Sequence, residues 1–508
     1  MTDIDSLPDD LVELKCQLLA ERELTAKQAA RLMYLEEQFR LAQQQRFGAS
    51  SEGHPGQGEL FNEAEEIVKV AQDESEQQDI SYTRNRPKRK PLPKHLPREV
   101  IVHDIAQEDK ICDGCQGELH KIGEDTSEKL EFIPAQVKVI EHVRPKYSCK
   151  ACEQNGTCNQ VKQAPVPPSV IPKGYATPSL LSQIITSKYQ YGLPLYRQEA
   201  MFKQYGIELS RKTTADWMMR SADILQILYD KLRQHLLKQT VIYADETTIK
   251  VVGDNKSKSY MWLYATGADS PEGKLTGTDV PHIVLFDYHA SRAGQCAVEY
   301  LDGYRGYLQV DGYAGYHKTQ ATLVGCWAHA RRKFTDAKTA MGKHKSGKVE
   351  WALNHIQKLY RIEIQIKNKT ADERRKIRQE KSLPLLKQFE AWLIKSEQDV
   401  LPKTKLGEAI QYCLNQWVKL QRYTLDGHLS IDNNRAERAI KPFVIGRKAW
   451  LFSQTANGAH ASAVLYSIIE TAKANGLIPF NYVMHLLTEL SKPEPNIESL
   501  LPWNVELS

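Results

Sequence analysis

The 508-residue chain contains no apolar run approaching the ~20 residues that a membrane-spanning helix needs, which argues against a helical membrane protein and a membrane partner. Nine cysteines are too few to knit a disulfide scaffold of this length. The opening MTDIDSLPDD lacks the positive stretch and apolar core of a secretory signal, so the cytoplasm is the expected compartment. What the chain does have is a globular composition, 41% hydrophobic and 26% charged, and length for about three domains.

The net charge of +5 hides a division. Residues 1–82 hold 7 Lys/Arg against 18 Asp/Glu, which leaves 61 basic and 45 acidic residues for 83–508. That excess suits a polyanionic partner, although a solvated basic surface has the same balance. From Leu11 to about Gln45 the spacing predicts one helix with a heptad seam. Leu11, Leu18, Leu32 and Phe39 take one seam position, and Leu14, Leu35 and Ala42 the other. Thr25, Glu21 and Gln28 interrupt the seam, so both a self-associating coiled coil and a helix packed on its own chain fit. A Gly, Ser, Pro and acid-rich stretch follows and reads as a linker, ending in the basic tract RNRPKRKPLPKHLPR.

Two C-x-x-C pairs, Cys112/Cys115 and Cys149/Cys152, have the spacing of a tetrahedral four-thiolate Zn2+ site, structural because it leaves no open position. A redox pair or four unligated cysteines are the alternatives, and nearby Cys158 and His120 are superfluous to a complete site. LPLYRQEAMFKQYGIELSRKTTADWMMRS reads as helix, turn at Gly206, N-cap at Ser210, then a helix opening on Arg211, Lys212, Thr213 and Thr214. This fits a helix-turn-helix that presents those residues to DNA, and also an ordinary helical pair.

From Val241 five strand-like runs follow one another: VIYADET, YMWLYAT, HIVLFDY, YLQVDGY and TLVGCWAHA. Asp245 and Asp311 stand at the ends of two of them. Carboxylates converging from neighbouring strands suit Mg2+ or Mn2+, whereas Asp311-Gly312 taken alone suits a turn. SIDNNRAERAIKPFVIGRKAWLF adds Glu437 with Asn433 and Asn434 nearby, followed by Arg438, Lys441, Arg447 and Lys448 to meet phosphate. Three carboxylates holding two metal ions are the equipment of in-line phosphoryl transfer.

YADET around Asp245, LQVDGYAGY around Asp311, CWAHARRKF from Cys326 and DNNRAERAIKPFVIGRKAWLFS around Glu437 closely resemble the transposases of the insertion-sequence sixty-six family, within the DDE superfamily. The likeness spans nearly the whole chain, including QRFGASSE, the C-x-x-C segment, ATPSLLSQIITSKYQYGLPLYRQEAMF, and ETAKANGL and LLPWN in the tail.

The resemblance implies a multidomain α/β protein with a ribonuclease-H-like mixed β-sheet core. The expected parts are a coiled coil (8–46), an acidic-to-basic disordered linker (47–98), a zinc-binding ribbon domain (99–160) and a helical DNA-binding region (165–238). A catalytic domain (239–455) with a helical insertion at about 338–428, and a C-terminal helical region (456–508), complete the chain. Asp245, Asp311 and Glu437 form the implied triad, with Asn433 and Asn434 as support. The implied activity is binding of terminal inverted repeats, metal-dependent cleavage at the ends, and transfer of the 3′-hydroxyl into target DNA. A homo-oligomer through the coiled coil, accessory proteins of the same element, and a bacterial nucleoid-associated location are implied with it. Cys326-x-x-His329 resembles a signature of some DDE transposases. That likeness places His329 near the DNA with Arg331, Arg332 and Lys333 on phosphates, while a structural histidine fits equally. Trp351, Trp392 and Trp417 in the insertion are expected to pack in its core, the alternative being that one stacks on a flipped base. An inactive relic that binds DNA, or a nuclease of the same fold, are the alternatives.

Overall fold

The computed structural model describes residues 10–47, 100, 137–148, 161–254, 256–267, 280–341 and 347–505. The four cysteines of the C-x-x-C pairs lie outside these residues, as does the expected linker from 48 to 98. The chain divides into two compact units, 77–165 and the remainder. Within the first, β1 (Lys146–Ser148) and β2 (Val161–Gln163) pair antiparallel, bringing together the chain on either side of Cys149 and Cys152.

In the larger unit, α1 (Leu11–Phe47) is the uninterrupted helix that the spacing predicts. Its seam residues Leu11, Leu18, Leu32 and Phe39 are 55–64% exposed. The contacts that α1 makes use the opposite side. Glu37 Oε1 accepts the Lys405 backbone N–H at 2.8 Å, and Arg40 donates to the Met341 carbonyl at 2.6 Å. Both residues occupy outward heptad positions, so the apolar seam is turned away from the body of its own chain.

Three helices precede the sheet: α2 (Pro178–Tyr189), α3 (Leu195–Gln204) and α4 (Arg211–Leu236). Gly206 takes a φ of +76° in the turn, and Ser210 Oγ caps α4 by accepting the Thr213 N–H at 3.1 Å, as its position before the helix predicts. Each of the five strand-like runs then supplies one strand: β3 (Val241–Ile249), β4 (Ser259–Ala265), β5 (Val284–His289), β6 (Tyr307–Gln309) and β7 (Thr322–Val324). α5 (Gly294–Tyr300) lies between β5 and β6.

The sheet order is β5-β4-β3-β6-β7. β4 runs antiparallel to both β5 and β3, whereas β6 joins β3 in parallel and β7 joins β6 in parallel. β3 is central, and its VIYA run is buried throughout, the pattern of a strand covered on both faces. β5 is an edge strand of the sheet, with backbone N–H groups that β4 does not take. Ser467 and Thr471, one turn apart on α12 (Ala456–Ala474), accept the Phe286 and Val284 N–H groups at 2.7 and 3.0 Å. α12 is buried around nearly its whole circumference and so covers that edge. α13 (Pro479–Glu489) follows it.

After β7 come α6 (Trp327–Met341), α7 (Gly347–Gln365), α8 (Ala371–Ile377), α9 (Leu383–Asp399) and α10 (Lys405–Gln421), then α11 (Asn434–Trp450), which returns to the sheet. A π-helical turn at Arg378–Ser382 joins α8 to α9. Trp351 and Trp392 stack at 4.8 Å, and Trp417 stacks on Phe389 at 6.1 Å, so all three pack among aromatic neighbours as expected.

Candidate active site

The register of β3 and β6 sets the first two acids. Tyr243 pairs with Gln309, and Asp245 and Asp311 each stand two residues further along these parallel neighbours. With a side-chain period of two, both carboxylates belong to the same level and face. Asp311 is held in a turn as well: its Oδ1 accepts the Tyr313 N–H at 2.9 Å, its carbonyl accepts Tyr412 Oη at 2.6 Å, and Gly312 takes a φ of +114°. A side chain at Gly312 would be strained there, so the Asp-Gly pair is both a turn and a placement of an acid.

The third acid arrives on α11. Asn433, fully buried before that helix, donates from Nδ2 to the Ala244 carbonyl at 2.8 Å, next to Asp245 in the chain. Its backbone N–H points to Cys326 Sγ at 3.2 Å, and Trp327 N–H donates to the Ile431 carbonyl at 3.1 Å. These contacts clamp the start of α11 to β3 and α6, and Glu437 follows in the first turn, 5% exposed. Burial raises the Asp245 carboxyl well above the usual carboxylate range, and Asp311, Glu246 and Glu437 push it further the same way. Asp245, Asp311 and Glu437 thus share one electrostatic neighbourhood in which each negative charge is felt at Asp245.

His329 Nδ1 lies 3.4 Å from Glu437 Oε1. Burial pushes its imidazole down to about 4, against the upward pull of Asp311, so the ring is neutral near pH 7. Ligand atoms of Cys326, His329 and Glu437 lie within 4.8 Å of one another. Burial raises the Cys326 thiol strongly, and its Sγ faces the Asn433 backbone N–H.

Other expected residues take varied places. Arg331 and Arg332 are half-buried on α6 and Lys333 is exposed; on α11, Arg438 and Lys448 are exposed and Lys441 and Arg447 half-buried. Asn434 turns its amide to Asp432 Oδ2 at 3.0 Å. Arg211, Lys212, Thr213 and Thr214 open α4, an element that carries none of the three acids. Arg211 and Lys212 are exposed, the former 3.1 Å from Glu199. Thr213 is half-buried, its hydroxyl 2.9 Å from that of Ser210. Thr214 corrects the expectation that it presents itself to DNA: it is 1% exposed and its hydroxyl bonds back to the Ser210 and Arg211 carbonyls, because it faces the helical core.

Sequence reading missed Glu246, Arg292 and Tyr316. Glu246 accepts Arg292 Nε at 3.0 Å and Tyr316 Oη at 2.7 Å, and Arg292 stacks on Tyr313 at 4.0 Å. Burial and Asp311 raise the Glu246 carboxyl, while Arg292 and Tyr316 draw it down. The signal was a second acid directly after Asp245, in a strand otherwise free of charge.

Family models match along much of the chain. The model described as "Transposase IS66 family" matches residues 173–461, which carry all three acids. "Zinc-finger binding domain of transposase IS66" matches 109–153, "Transposase C of IS166 homeodomain" 34–101, and "IS66 C-terminal element" 467–503. The chain belongs to the IS66 transposase family. Among curated relatives, the uncharacterized protein y4jD of Sinorhizobium fredii is 35% identical, with 81% of each chain covered. The uncharacterized protein y4hP of the same organism is 33% identical over 97% of this chain and 88% of its own.

Proposed function

We propose that the protein is a DNA transposase that binds the terminal inverted repeats of its element, cleaves at the ends and joins the freed 3′-hydroxyl to target DNA. The observation that carries this reading is the convergence of Asp245, Asp311 and Glu437 from β3, the end of β6 and the first turn of α11. A ribonuclease-H-like core is supported by a sheet with three antiparallel strands followed by two parallel ones, bearing its acids on adjacent central strands.

A buried Asp245 carboxyl pushed up by its acid neighbours fits hard divalent cations, since an oxygen-only set of like charges is stabilised by such an ion. Asp245, Asp311 and Glu437 are the residues that would hold two Mg2+ or Mn2+ ions. When bound, these ions supply charge neutralisation and activation of the attacking oxygen. Asn433 holds the helix of the third acid against the strand of the first, and neutral His329 packs beside Glu437. Cys112, Cys115, Cys149 and Cys152 have the donor chemistry of a structural Zn2+ site.

Binding to the ends falls to the basic faces, with Arg211 and Lys212 at the start of α4 and the cations of α6 and α11 along the backbone. The outward seam of α1 supports pairing of protomers, which holding two ends in one complex requires. A bacterial cytoplasmic, nucleoid-associated setting and cooperation with other proteins of the element belong to the same reading.

The test is cleavage and joining of labelled DNA carrying the element's own ends, in Mg2+, Mn2+ or chelator, with Asp245→Asn, Asp311→Asn and Glu437→Gln. The reading expects metal-dependent joining by the wild type, and variants that bind the ends without cutting. Cutting with no joining of a pre-cleaved 3′-hydroxyl end indicates a nuclease. Binding with no reaction in either metal indicates a relic, and variants as active as wild type refute the triad.

A further inference from the structure

We infer that an open cleft at the far end of β3 and α11 is a second DNA contact, a phosphodiester subsite set at a fixed spacing from the three acids. The inference rests on the transposase reading and adds to it a place and a register along the DNA. The cleft has a volume of about 380 Å³, and its polar lining is Thr248, Lys250, Ser257, Lys258, Arg447 and Lys448. Four cations and two hydroxyls line it, with no carboxylate among the lining residues. That donor set selects an anion with several oxygens, and in a DNA-processing protein the abundant one is the backbone phosphate.

The cleft is built rather than a chance meeting of surface lysines. Arg447 Nη1 lies 3.2 Å from both Thr247 Oγ1 and Thr248 Oγ1, which pins the guanidinium against β3. The chain after α11 is tied to the chain after β3: Ser453 N–H donates to the Lys250 carbonyl at 2.9 Å, and Val252 N–H to the Ser453 carbonyl at 2.9 Å. Lys250, Lys258 and Lys448 are exposed, so their charges meet solvent until an anion arrives.

Two elements connect this cleft to the acids, and their lengths agree. From Asp245 to Lys250 along β3, at about 3.3 Å per residue, is roughly 16 Å. From Glu437 to Arg447 along α11, at about 1.5 Å per residue, is roughly 15 Å. Successive phosphates of one strand advance about 3.4 Å along a duplex axis. A duplex lying along this ridge, with its scissile phosphate at the acids, therefore sets another phosphate over the cleft about four to five nucleotides away.

The experiment compares wild type with a Lys250→Gln, Lys258→Gln, Lys448→Gln triple variant. Affinity for a duplex carrying the element's own end is measured by fluorescence anisotropy, in chelator, over a salt series. Uncharged methylphosphonates are then placed singly along the strand. The expected result is a salt slope shallower by about one to two units in the variant. A methylphosphonate about four to five nucleotides from the cleaved bond should weaken wild type while leaving the variant unchanged. The three Lys→Arg changes together should retain the wild-type slope, and an unchanged thermal melt of the Gln variant separates lost contact from lost fold. A wild-type slope and methylphosphonate profile in the Gln variant overturn the subsite while leaving the transposase reading intact. Absence of any salt-dependent DNA binding by wild type overturns both.

Discussion

Two buried charged clusters stand a few elements apart in this protein, and they are built on opposite principles. In the helical insertion, Arg378 is fully buried in the π-helical turn and every direction of its guanidinium is answered. Nε and Nη2 reach the two Glu363 carboxylate oxygens at 2.9 and 2.6 Å, Nη1 reaches the Tyr423 and Asp426 carbonyls at 2.9 Å each, and Nη2 also reaches the Leu429 carbonyl at 2.9 Å. Beside the sheet, acid faces acid: burial raises the Asp245 carboxyl, and Asp311, Glu246 and Glu437 push it the same way. The first cluster is complete as it stands and fastens the chain that leads back from the insertion to α11. The second sets like charges against one another, a repulsion that a bound cation relieves. A buried charge that the fold satisfies belongs to structure, and one that it leaves unbalanced marks where a ligand is expected.

Removing a member therefore has opposite consequences in the two places. Asp245→Asn keeps an oxygen to accept the Glu246 N–H, which Asp245 Oδ1 now takes at 2.8 Å, while removing the like charge. Its expected effect on joining is a loss on the order of 10³-fold, the scale of a group that acts in the transition state. Its metal-free melting temperature should rise by a few degrees, about 1 kcal/mol of relieved repulsion and burial. Mg2+ or Mn2+ should raise the melting temperature of wild type more than that of the variant. A variant that melts lower than wild type without metal would break the comparison.

Arg378→Met and Glu363→Gln are the converse. Each leaves the partner group, or the three carbonyls, buried without its charge complement, and each should lower stability by about 3–5 kcal/mol in a urea titration. Arg378→Lys should recover little of this, because an ammonium cannot reproduce the planar fork. A loss under about 1 kcal/mol for both substitutions would show that the hub is not a fastening.

Asn433 lies between the two clusters and sharpens the distinction. Its amide donates to the Ala244 carbonyl at 2.8 Å and so ties α11 to β3. Asn433→Ala should cost about 1–2 kcal/mol, the value of a buried hydrogen bond. Cleavage should slow by roughly tenfold or more, since displacing a catalytic group by about 1 Å is costly. The affinity for end DNA should stay near wild type, which distinguishes a misplaced Glu437 from a lost DNA contact. Asn434→Ala, whose amide faces Asp432, should slow cleavage less; equal loss in both would remove Asn433 from its positioning role.

How much of this was legible beforehand follows from the range of each interaction. The five strands were legible because each is a short apolar run bounded by turn residues, and α1 because its seam repeats every seven residues. Ser210 was legible as a cap from its place before α4. The order of the strands was not, since pairing β3 with β6 depends on contacts 66 residues apart in the chain. Asp245 and Asp311 could be suspected as acids closing apolar runs, and Glu437 from its place beside Asn433 and Asn434 ahead of a run of cations, but their assignment as one triad came from the likeness of the surrounding strings to a known family. Arg378 is one cation among many in ADERRKIRQEKS. Nothing local sets it apart from Arg374 or Arg375, because its burial is decided by the carbonyls of residues 423–429. Thr214 failed for a related reason: its neighbours on α4 point to solvent, and only the packing of α3 and α4 shows which face of the turn it occupies.

The smallest expected effect on activity concerns a satisfied polar contact with no charge at all. Thr471 Oγ1 accepts the Val284 N–H at 3.0 Å and donates to the Val284 carbonyl at 2.9 Å, so a single hydroxyl serves both backbone groups of an edge residue. Thr471→Val preserves shape and branching but leaves both groups buried without a partner, a cost of about 1–3 kcal/mol. Thr471→Ser keeps the hydroxyl and loses only a methyl, for about 1 kcal/mol or less. Because α12 carries none of the three acids, the catalytic rate at a temperature well below melting should change little in either variant. If Val proves no worse than Ser, the edge of β5 is protected by apolar cover from α12 alone. If Val is clearly worse, the strand that borders β4 is fastened by the same rule as Arg378, with every buried donor answered from within the chain.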